Sequence, residues 1–247
     1  MPRRMRSPMH MTRSEEPFAL SPTHPIGGQL IANLRDRIVR GELPPGSRLS
    51  EQDIANHYGM SRQPVREAFI RLAEEGLVEV RPQRGTFVRK IATDEVEASR
   101  FVREAVEVEI VRLAVSGASG ALVADLLDQV ERQAEVGDDD ALGFMRLDER
   151  FHRTLAEAAG RAGAWAHLQP IKRHMDRVRY LTAAKFPLGR LVGEHRSIVE
   201  AIAARDAGAA EAAIRRHLRG VLEDLPLIVA AQPDFFETGP GFPGPSQ

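Results

Sequence analysis

The sequence predicts a mainly α-helical protein with a small N-terminal domain and a C-terminal antiparallel six-helix bundle. Two observations support this prediction. Between Ser50 and Val88, two short amphipathic helices precede a pair of segments that alternate like β-strands. From residue 92 to residue 225, apolar residues recur at helical spacing without an intervening strand pattern. With 247 residues, the chain is long enough for two domains of ordinary size.

The two short helices near residue 60 have recognisable start and stop signals. Ser50 is placed as the N-cap of the first helix, with Asp53 three residues later as an acidic variant of the capping box. Gly59 ends this helix, because glycine readily adopts the left-handed cap conformation. Ser61 is the predicted N-cap of the second helix, and Pro64 fits its first turn, where a missing N–H costs nothing.

Helices joined by such a glycine turn form a helix-turn-helix, and the strands predicted at Leu77–Val80 and Thr86–Val88 add a wing. The second helix of this motif enters the major groove of DNA, where Arg pairs with guanine and Gln reads adenine. The alternative is that its arginines are ordinary solvated charges. The predicted DNA contacts on this helix and at the wing tip are Ser61, Arg62, Gln63, Arg66, Arg84 and Gly85.

Residues 31–88 resemble the winged helix-turn-helix of the GntR family of bacterial transcription regulators. The resemblance lies in the segments IVRGELPPGSRL, SRQPVREA and LAEEGLVEVRPQRGTFV. It implies that Arg62, Arg66 and the residue at Gln52 contact double-stranded operator DNA. Some members of the family have Arg at the position of Gln52, so the operator sequence stays open. Because helix-turn-helix proteins read two half-sites with two-fold symmetry, we expect a homodimer.

Composition and charge narrow the classes of protein that remain. The chain has no cysteine, so disulfides are excluded and a cytoplasmic location is expected. The longest apolar run, Leu225–Ala231, is too short to span a bilayer, and no membrane partner is expected. Residues 1–90 carry a net charge of +5 and residues 91–247 a net charge of −6. Only the N-terminal part should therefore face phosphates.

Glycine-containing breaks divide the C-terminal segment into six predicted helices. Short connections between them imply an antiparallel bundle. The helices are predicted at Glu95–Ser116, 119–136, 140–159, 163–185, 187–204 and 207–225. The resulting domain boundaries are a flexible N-terminal arm at 1–25, the winged helix-turn-helix at 26–90, the all-helical domain at 92–225 and a disordered Pro- and Gly-rich tail at 226–247.

Three histidines and one aspartate lie on the predicted inward faces of three bundle helices. Asp148 and His152 are four residues apart on one helix, and His195 and His217 belong to two others. Three neutral imidazoles and a carboxylate suit a divalent transition metal, with positions left open for water or a ligand oxygen. The alternative is that each histidine is an ordinary core or half-exposed residue.

Residues 92–225 resemble the all-helical ligand-binding (FCD) domain of the FadR subfamily of GntR regulators, and the short linker and six helices resemble its VanR-like branch. The resemblance implies that the aspartate and the three histidines hold zinc, with nickel or manganese as alternatives, and that a small carboxylate effector binds beside the metal. It assigns Arg103, in FVREAVEVE, to the effector carboxylate. Arg177 and Tyr180 are further candidates for the effector cavity, although either residue could equally lie on a helix surface.

Together these features predict a one-component transcriptional repressor that a small carboxylate or sugar acid releases from its operator. A metal-dependent hydrolase is one alternative, because a metal with a labile water can hydrolyse a substrate. The sequence offers no evident general base for such a hydrolase, and a hydrolase would leave the DNA-binding domain unexplained. A ligand-dependent activator is the other alternative, and the sequence does not separate it from a repressor.

Overall fold

The computed structural model describes residues 25–239 and residue 242. The chain forms two compact units, Met1–Ile91 and Ala92–Gln247, and each is described by itself. The predicted N-terminal arm lies outside the described residues except for Pro25. No helix of the described part is long and apolar enough to cross a membrane.

The N-terminal unit contains three helices and a small sheet. Its elements are α1 (Ile26–Val39), β1 (Arg48–Leu49), α2 (Glu51–His57), α3 (Arg62–Glu74), β2 (Val78–Arg81) and β3 (Gly85–Val88). The hydroxyl of Ser50 caps α2 by accepting a hydrogen bond from the backbone N–H of Asp53, at 3.2 Å. Gly59 has a φ of +63°, as its predicted left-handed role requires. The core between α1 and α3 is formed by Leu30, Leu34, Ile38, Val65, Phe69 and Leu72.

The wing is an antiparallel three-stranded sheet in the order β1-β3-β2. Val78 pairs with Val88 and Arg81 pairs with Gly85, so the β2–β3 hairpin has the predicted tip. The sequence did not predict β1, because two residues are too few to show an alternating pattern. Since β1 directly precedes α2, this pairing attaches the wing to the start of the helix-turn-helix.

The C-terminal unit is an all-helical bundle. Helix α10 packs against α4 and α9, and α5 packs against α6 and α9. Its helices are α4 (Thr93–Ser116), α5 (Gly120–Ala134), α6 (Ala141–Ala158), α7 (Ala162–Ile171), α8 (Arg173–Ala183), α9 (Gly189–Ala203) and α10 (Ala207–Ala231).

The described part of this unit therefore has seven helices, and the predicted count of six is wrong. The helix predicted at 163–185 is divided at Lys172 into α7 and α8. Pro170 explains the division, because its ring clashes with the preceding turn and it has no N–H to continue the helix. The helix count no longer supports the VanR-like branch, which stays a prediction that rests on the short linker.

The predicted disordered tail is also wrong for its described part. Helix α10 continues through Pro226 to Ala231, because Ile228 and Val229 are buried and extend its apolar stripe. Burial of these two side chains offsets the roughly 3 kcal/mol that a proline costs inside a helix. A short 3₁₀ turn follows, and strand β5 (Phe236–Glu237) pairs with β4 (Ile91–Ala92).

Candidate functional site

The arginines predicted to contact DNA lie at the exposed start of α3. Arg62 donates a hydrogen bond to Glu51 at 2.8 Å, and Arg66 donates two to the same carboxylate at 3.2 Å. These bonds from Arg66 and Arg62 lower the pKa of Glu51. Glu51 thus gathers both guanidinium groups on one side of the helix-turn-helix. Ser61 precedes α3 as predicted, but its hydroxyl makes no capping hydrogen bond.

The remaining predicted DNA contacts are also on the surface. Gln52 donates to Asn56 at 2.8 Å and Gln63 donates to Glu67 at 3.0 Å, each within one helical turn. Exposed side-chain bonds of this kind contribute little to stability and exchange readily for bonds to a base or phosphate. Arg84 is exposed at the wing tip, and Gly85 beside it has a φ of +110°, which favours glycine.

The structure brings the four predicted metal ligands together in the bundle core. Asp148 and His152 come from α6, His195 from α9 and His217 from α10. All four side chains are buried, and one potential ligand atom of each lies within 4.8 Å of the others. Residues on α6 are buried at spacings of three and four, which is why the helix directs Asp148 and His152 to the same side.

The imidazole Nε2 atoms converge on a common point. The Nε2 of His217 lies 3.2 Å from that of His152 and 3.3 Å from that of His195. The Oδ1 atom of Asp148 lies 3.8 Å from the His152 Nε2 and 3.5 Å from the His195 Nε2. The donor set is therefore three nitrogens and one oxygen, which suits a divalent transition metal.

Each histidine also has an oxygen atom beside its other ring nitrogen. The Nδ1 atom of His152 lies 2.6 Å from Oε2 of Glu107, and that of His217 lies 2.9 Å from Oε2 of Glu194. The Nδ1 atom of His195 lies 2.6 Å from the amide oxygen of Gln133. For His195 and His217, an acceptor hydrogen-bonded to Nδ1 keeps the proton there and leaves the Nε2 lone pair free, as metal-binding histidines require.

The sequence-based prediction did not include these three acceptors. Glu107 lies on α4, Gln133 on α5 and Glu194 on α9. Gln133 and Glu107 are buried, and a buried polar side chain on an otherwise apolar helix face is the signal that could have found them.

The pKa values of the cluster favour a metal-binding protonation state. Burial, together with the neighbouring histidines, lowers the pKa of His195 and His217 well below the ordinary value. Burial alone would raise the pKa of Asp148, but the Arg179 charge and the histidines hold it well below its usual range. At neutral pH His195 and His217 are therefore neutral and Asp148 is ionised.

Two observations show that these residues fit a metal. The Nε2 atoms of the three histidines face one another, an arrangement that a cation between them would stabilise. In addition, Oδ2 of Asp148 is buried and has no hydrogen-bond partner in the described part of the chain. A buried carboxylate oxygen in this condition is costly unless something else binds it.

A cavity with about 510 Å³ of empty space, part of it open to solvent, adjoins the cluster. His217 is in its wall, together with Arg103 and Arg179. Arg179, which the sequence-based prediction missed, contacts Oδ1 of Asp148. Four of its helices, α4, α8, α9 and α10, therefore supply a basic side chain or a metal-site histidine to the cavity wall.

Of the three predicted effector contacts, the structure places one in the cavity wall. Arg103 is buried, and its Nε donates to Glu107 at 2.5 Å, while its Nη2 has no hydrogen-bond partner among the described residues. Arg177 and Tyr180 do not line this cavity. Helical spacing explains their position, because the cavity face of α8 carries Met175, Arg179 and Thr182, and the two predicted residues lie off that face. Their contact with an effector stays a prediction.

Comparison with protein families gives two matches that together follow the two units. Residues 27–88 match the family described as bacterial regulatory proteins, gntR family. Residues 99–220 match the FCD domain. The first match covers the helix-turn-helix and wing, and the second covers the helices that hold the histidine cluster.

Two named relatives are regulators. The chain is 36% identical over 219 residues to the HTH-type transcriptional repressor RspR of Escherichia coli (strain K12), across 88% of this chain and 96% of RspR. It is 32% identical over 187 residues to a protein of Paenarthrobacter nicotinovorans named "Probable D-xylose utilization operon transcriptional repressor", across 75% of this chain and 82% of that protein.

Solved structures agree with this. A GntR protein from Rhodococcus sp. RHA1 has a TM-score of 0.66 and 29% identity, and the match covers 83% of this chain and 98% of that one. Escherichia coli McbR/YncC has a TM-score of 0.69 over 85% of this chain and 99% of its own, and at 18% identity it shows the fold alone. This chain belongs to the GntR family of bacterial transcription regulators, in the subfamily with an FCD domain, and is a DNA-binding regulator and not an enzyme.

Proposed function

We propose that this regulator is a repressor that releases its operator when a small carboxylate binds beside a divalent metal in the FCD domain. One observation carries the proposal. The three histidine Nε2 atoms converge in the bundle core, each with its Nδ1 at an acceptor, directly beside a cavity lined by arginines. A buried polar cluster of this kind is costly to fold unless it binds something.

The metal ligands in this proposal are Asp148, His152, His195 and His217. Three imidazoles and a carboxylate favour zinc, with nickel or manganese as alternatives. A bound metal would supply a Lewis-acidic centre that attracts a carboxylate oxygen.

Arg103 is the protein group best placed to hold the rest of the effector carboxylate. Its side chain is 2% exposed, and Glu107 fixes its Nε, so the guanidinium has little freedom. The free Nη2 is a charged donor that a carboxylate would satisfy, and charge-assisted hydrogen bonds are about twice as strong as neutral ones.

The DNA half of the proposal follows from the helix-turn-helix. We propose that two copies of the chain bind two half-sites of an operator through Arg62, Arg66 and the wing, in the bacterial cytoplasm. The two named relatives are both described as repressors, which favours repression here. Arg103 lies on α4, which begins at Thr93, close in sequence to the end of the wing at Val88, so an effector on α4 can bias the linker.

A thermal-shift experiment tests the proposed site. Chelator-treated protein is titrated with zinc, nickel or manganese salt, and then with a panel of sugar acids and dicarboxylates. We expect a metal to raise the melting temperature and an acid to raise it further only when the metal is present. No response to any metal would contradict the proposal.

A further inference from the structure

The cavity beside the histidines also contains an ion pair. Arg190 on α9 and Asp224 on α10 line it, and Nη2 of Arg190 contacts Oδ2 of Asp224. On α10, Asp224 follows His217 by seven residues, so both side chains lie on the same face of the helix. At 1.5 Å per residue, they are about 10 Å apart along the helix axis. The pair is therefore separated from the metal cluster by two helical turns.

This Arg190–Asp224 pair is at the boundary between the cavity and solvent. The Arg190 side chain is 40% exposed and the Asp224 side chain is 12% exposed. Gly220, one turn before Asp224, also lines the cavity, and a Cβ atom at this position would lie 3.7 Å from Nη1 of Arg190. A Cβ atom on this residue would therefore be in van der Waals contact with the guanidinium.

A buried hydroxyl in the cavity wall is a further polar group that a ligand would contact. Oγ1 of Thr182 is buried and has no hydrogen-bond partner within the described residues. A hydroxyl at such a place both donates and accepts, so it suits another hydroxyl group. The other wall residues are largely apolar, including Phe144, Leu191 and Leu218, and they give an extended ligand no competing polar contacts.

We propose that Arg190 and Asp224 recognise a hydroxyl group of the effector, which is therefore a hydroxy monocarboxylate of the sugar-acid type. This inference rests on the proposed function, in which Arg103 takes the carboxylate. A ligand hydroxyl donates to the Asp224 carboxylate and accepts from the Arg190 guanidinium, so both members of the pair stay satisfied.

Two other ligand classes fit the pair poorly. A second carboxylate would meet an arginine that Asp224 already neutralises, and Asp224 itself would repel it. An alkyl end would displace water from two charged groups without replacing their hydrogen bonds, which is unfavourable. The pair therefore selects against dicarboxylates and simple fatty acids.

Calorimetric titration of the zinc-loaded full-length protein tests this selection. The probes are D-gluconate with its C2 and C4 epimers, hexanoate and adipate, which share one chain length and differ in hydroxyls and in the second carboxylate. We expect one of the aldonates to bind on the order of tenfold more tightly than hexanoate and adipate, as the loss of a hydrogen bond to a charged group implies. The variants Asp224→Asn and Arg190→Ala should each remove this preference for the aldonate.

The outcomes separate this inference from the proposed function. Equal affinity for the aldonates and hexanoate, tighter binding of adipate, or an unchanged aldonate preference in both variants overturns the role of Arg190 and Asp224 and leaves the proposed function standing. Absence of binding by every acid overturns both. Arg103→Ala serves as the comparison, because it should weaken all the acids alike.

Discussion

The Nε2 atoms of His195 and His217 lie 3.3 Å apart, although the two histidines come from different helices. Their Nδ1 atoms face Gln133 and Glu194, so the Nε2 lone pairs point toward each other. Two lone pairs at this distance repel unless a proton or a cation lies between them. Since burial lowers the pKa of both histidines, a cation is the group that this arrangement favours.

The purified protein should hold about one divalent ion per chain, as expected for a four-ligand site. Replacing His195 and His217 together by alanine should abolish this binding, which elemental analysis after dialysis measures. His167, which is exposed on α7, is the matched control, and His167→Ala should retain the ion. Full retention in the double variant would mean that the metal lies elsewhere.

Trp165 provides an optical test of the same site. It is the single tryptophan of the chain, and its ring stacks on His152 with the centroids 5.9 Å apart. Metal binding to His152 should change the tryptophan fluorescence with a stoichiometry of about one ion, as a four-ligand site implies. A fluorescence titration with zinc or nickel that shows no change would count against His152 as a ligand.

The metal-free protein should lose stability as the pH falls from about 7 to 5, because an unfolded histidine titrates near 6.5. The folded pKa of His195 and His217 is lowered, so the unfolded state binds more protons in this range, and acid favours unfolding. Urea unfolding in the presence of chelator, repeated at several pH values, measures this slope.

The double substitution of both histidines by glutamine is the comparison for this pH effect, and its slope should be flatter. The comparison also distinguishes the effect of the histidines from that of Glu194. Burial raises the pKa of Glu194, so its titration stabilises the folded protein as the pH falls. Parallel curves for the two proteins would show that the buried histidines do not cause the acid sensitivity.

Arg62→Ala and Arg66→Ala should each weaken specific operator binding by about 1–3 kcal/mol if the contact is bidentate to a base. Both residues lie at the exposed start of α3, where the helix-turn-helix meets the major groove. Arg71→Ala is a matched control, since Arg71 is exposed in the last turn of the same helix. A mobility-shift titration in which all three variants bind the operator equally well would contradict the assignment of Arg62 and Arg66 as DNA contacts.

The sequence predicted the cluster of Asp148, His152, His195 and His217 because all four lie on the inward faces of three helices, which local periodicity reveals. It did not predict Glu107, Gln133 or Arg179, whose roles depend on how separate helices pack against the histidines. The sequence-based prediction also missed the division of one helix at Lys172, which Pro170 explains. This division changed the helix count on which the prediction of the VanR-like branch partly rested.

The error in the tail has a different cause. The C-terminal segment is rich in Pro and Gly, and this composition led to the prediction of disorder. The buried apolar stripe of α10 nevertheless continues past Pro226. Composition is an average over a segment, whereas burial depends on individual side chains. Ile228, at 0% exposure, illustrates the difference.

The tail makes its own prediction. Phe236 is 4% exposed, so Phe236→Ala should lower the free energy of unfolding by about 3–5 kcal/mol, as for other buried phenylalanines. Leu227 is 58% exposed on the same segment, and Leu227→Ala should change it by roughly 0.5 kcal/mol or less. Denaturant titrations that give equal losses for the two variants would show that residue 236 is not part of the core.

The most direct test of the account is operator affinity with and without a saturating acid, measured on zinc-loaded wild-type protein and on Arg103→Ala. Arg103 has a buried, unpartnered Nη2 in the cavity wall, within the described residues. The account predicts that the acid releases the wild type, whereas the variant binds the operator normally without acid and stays bound when acid is added. Release of the variant at the same acid concentration as the wild type would contradict it.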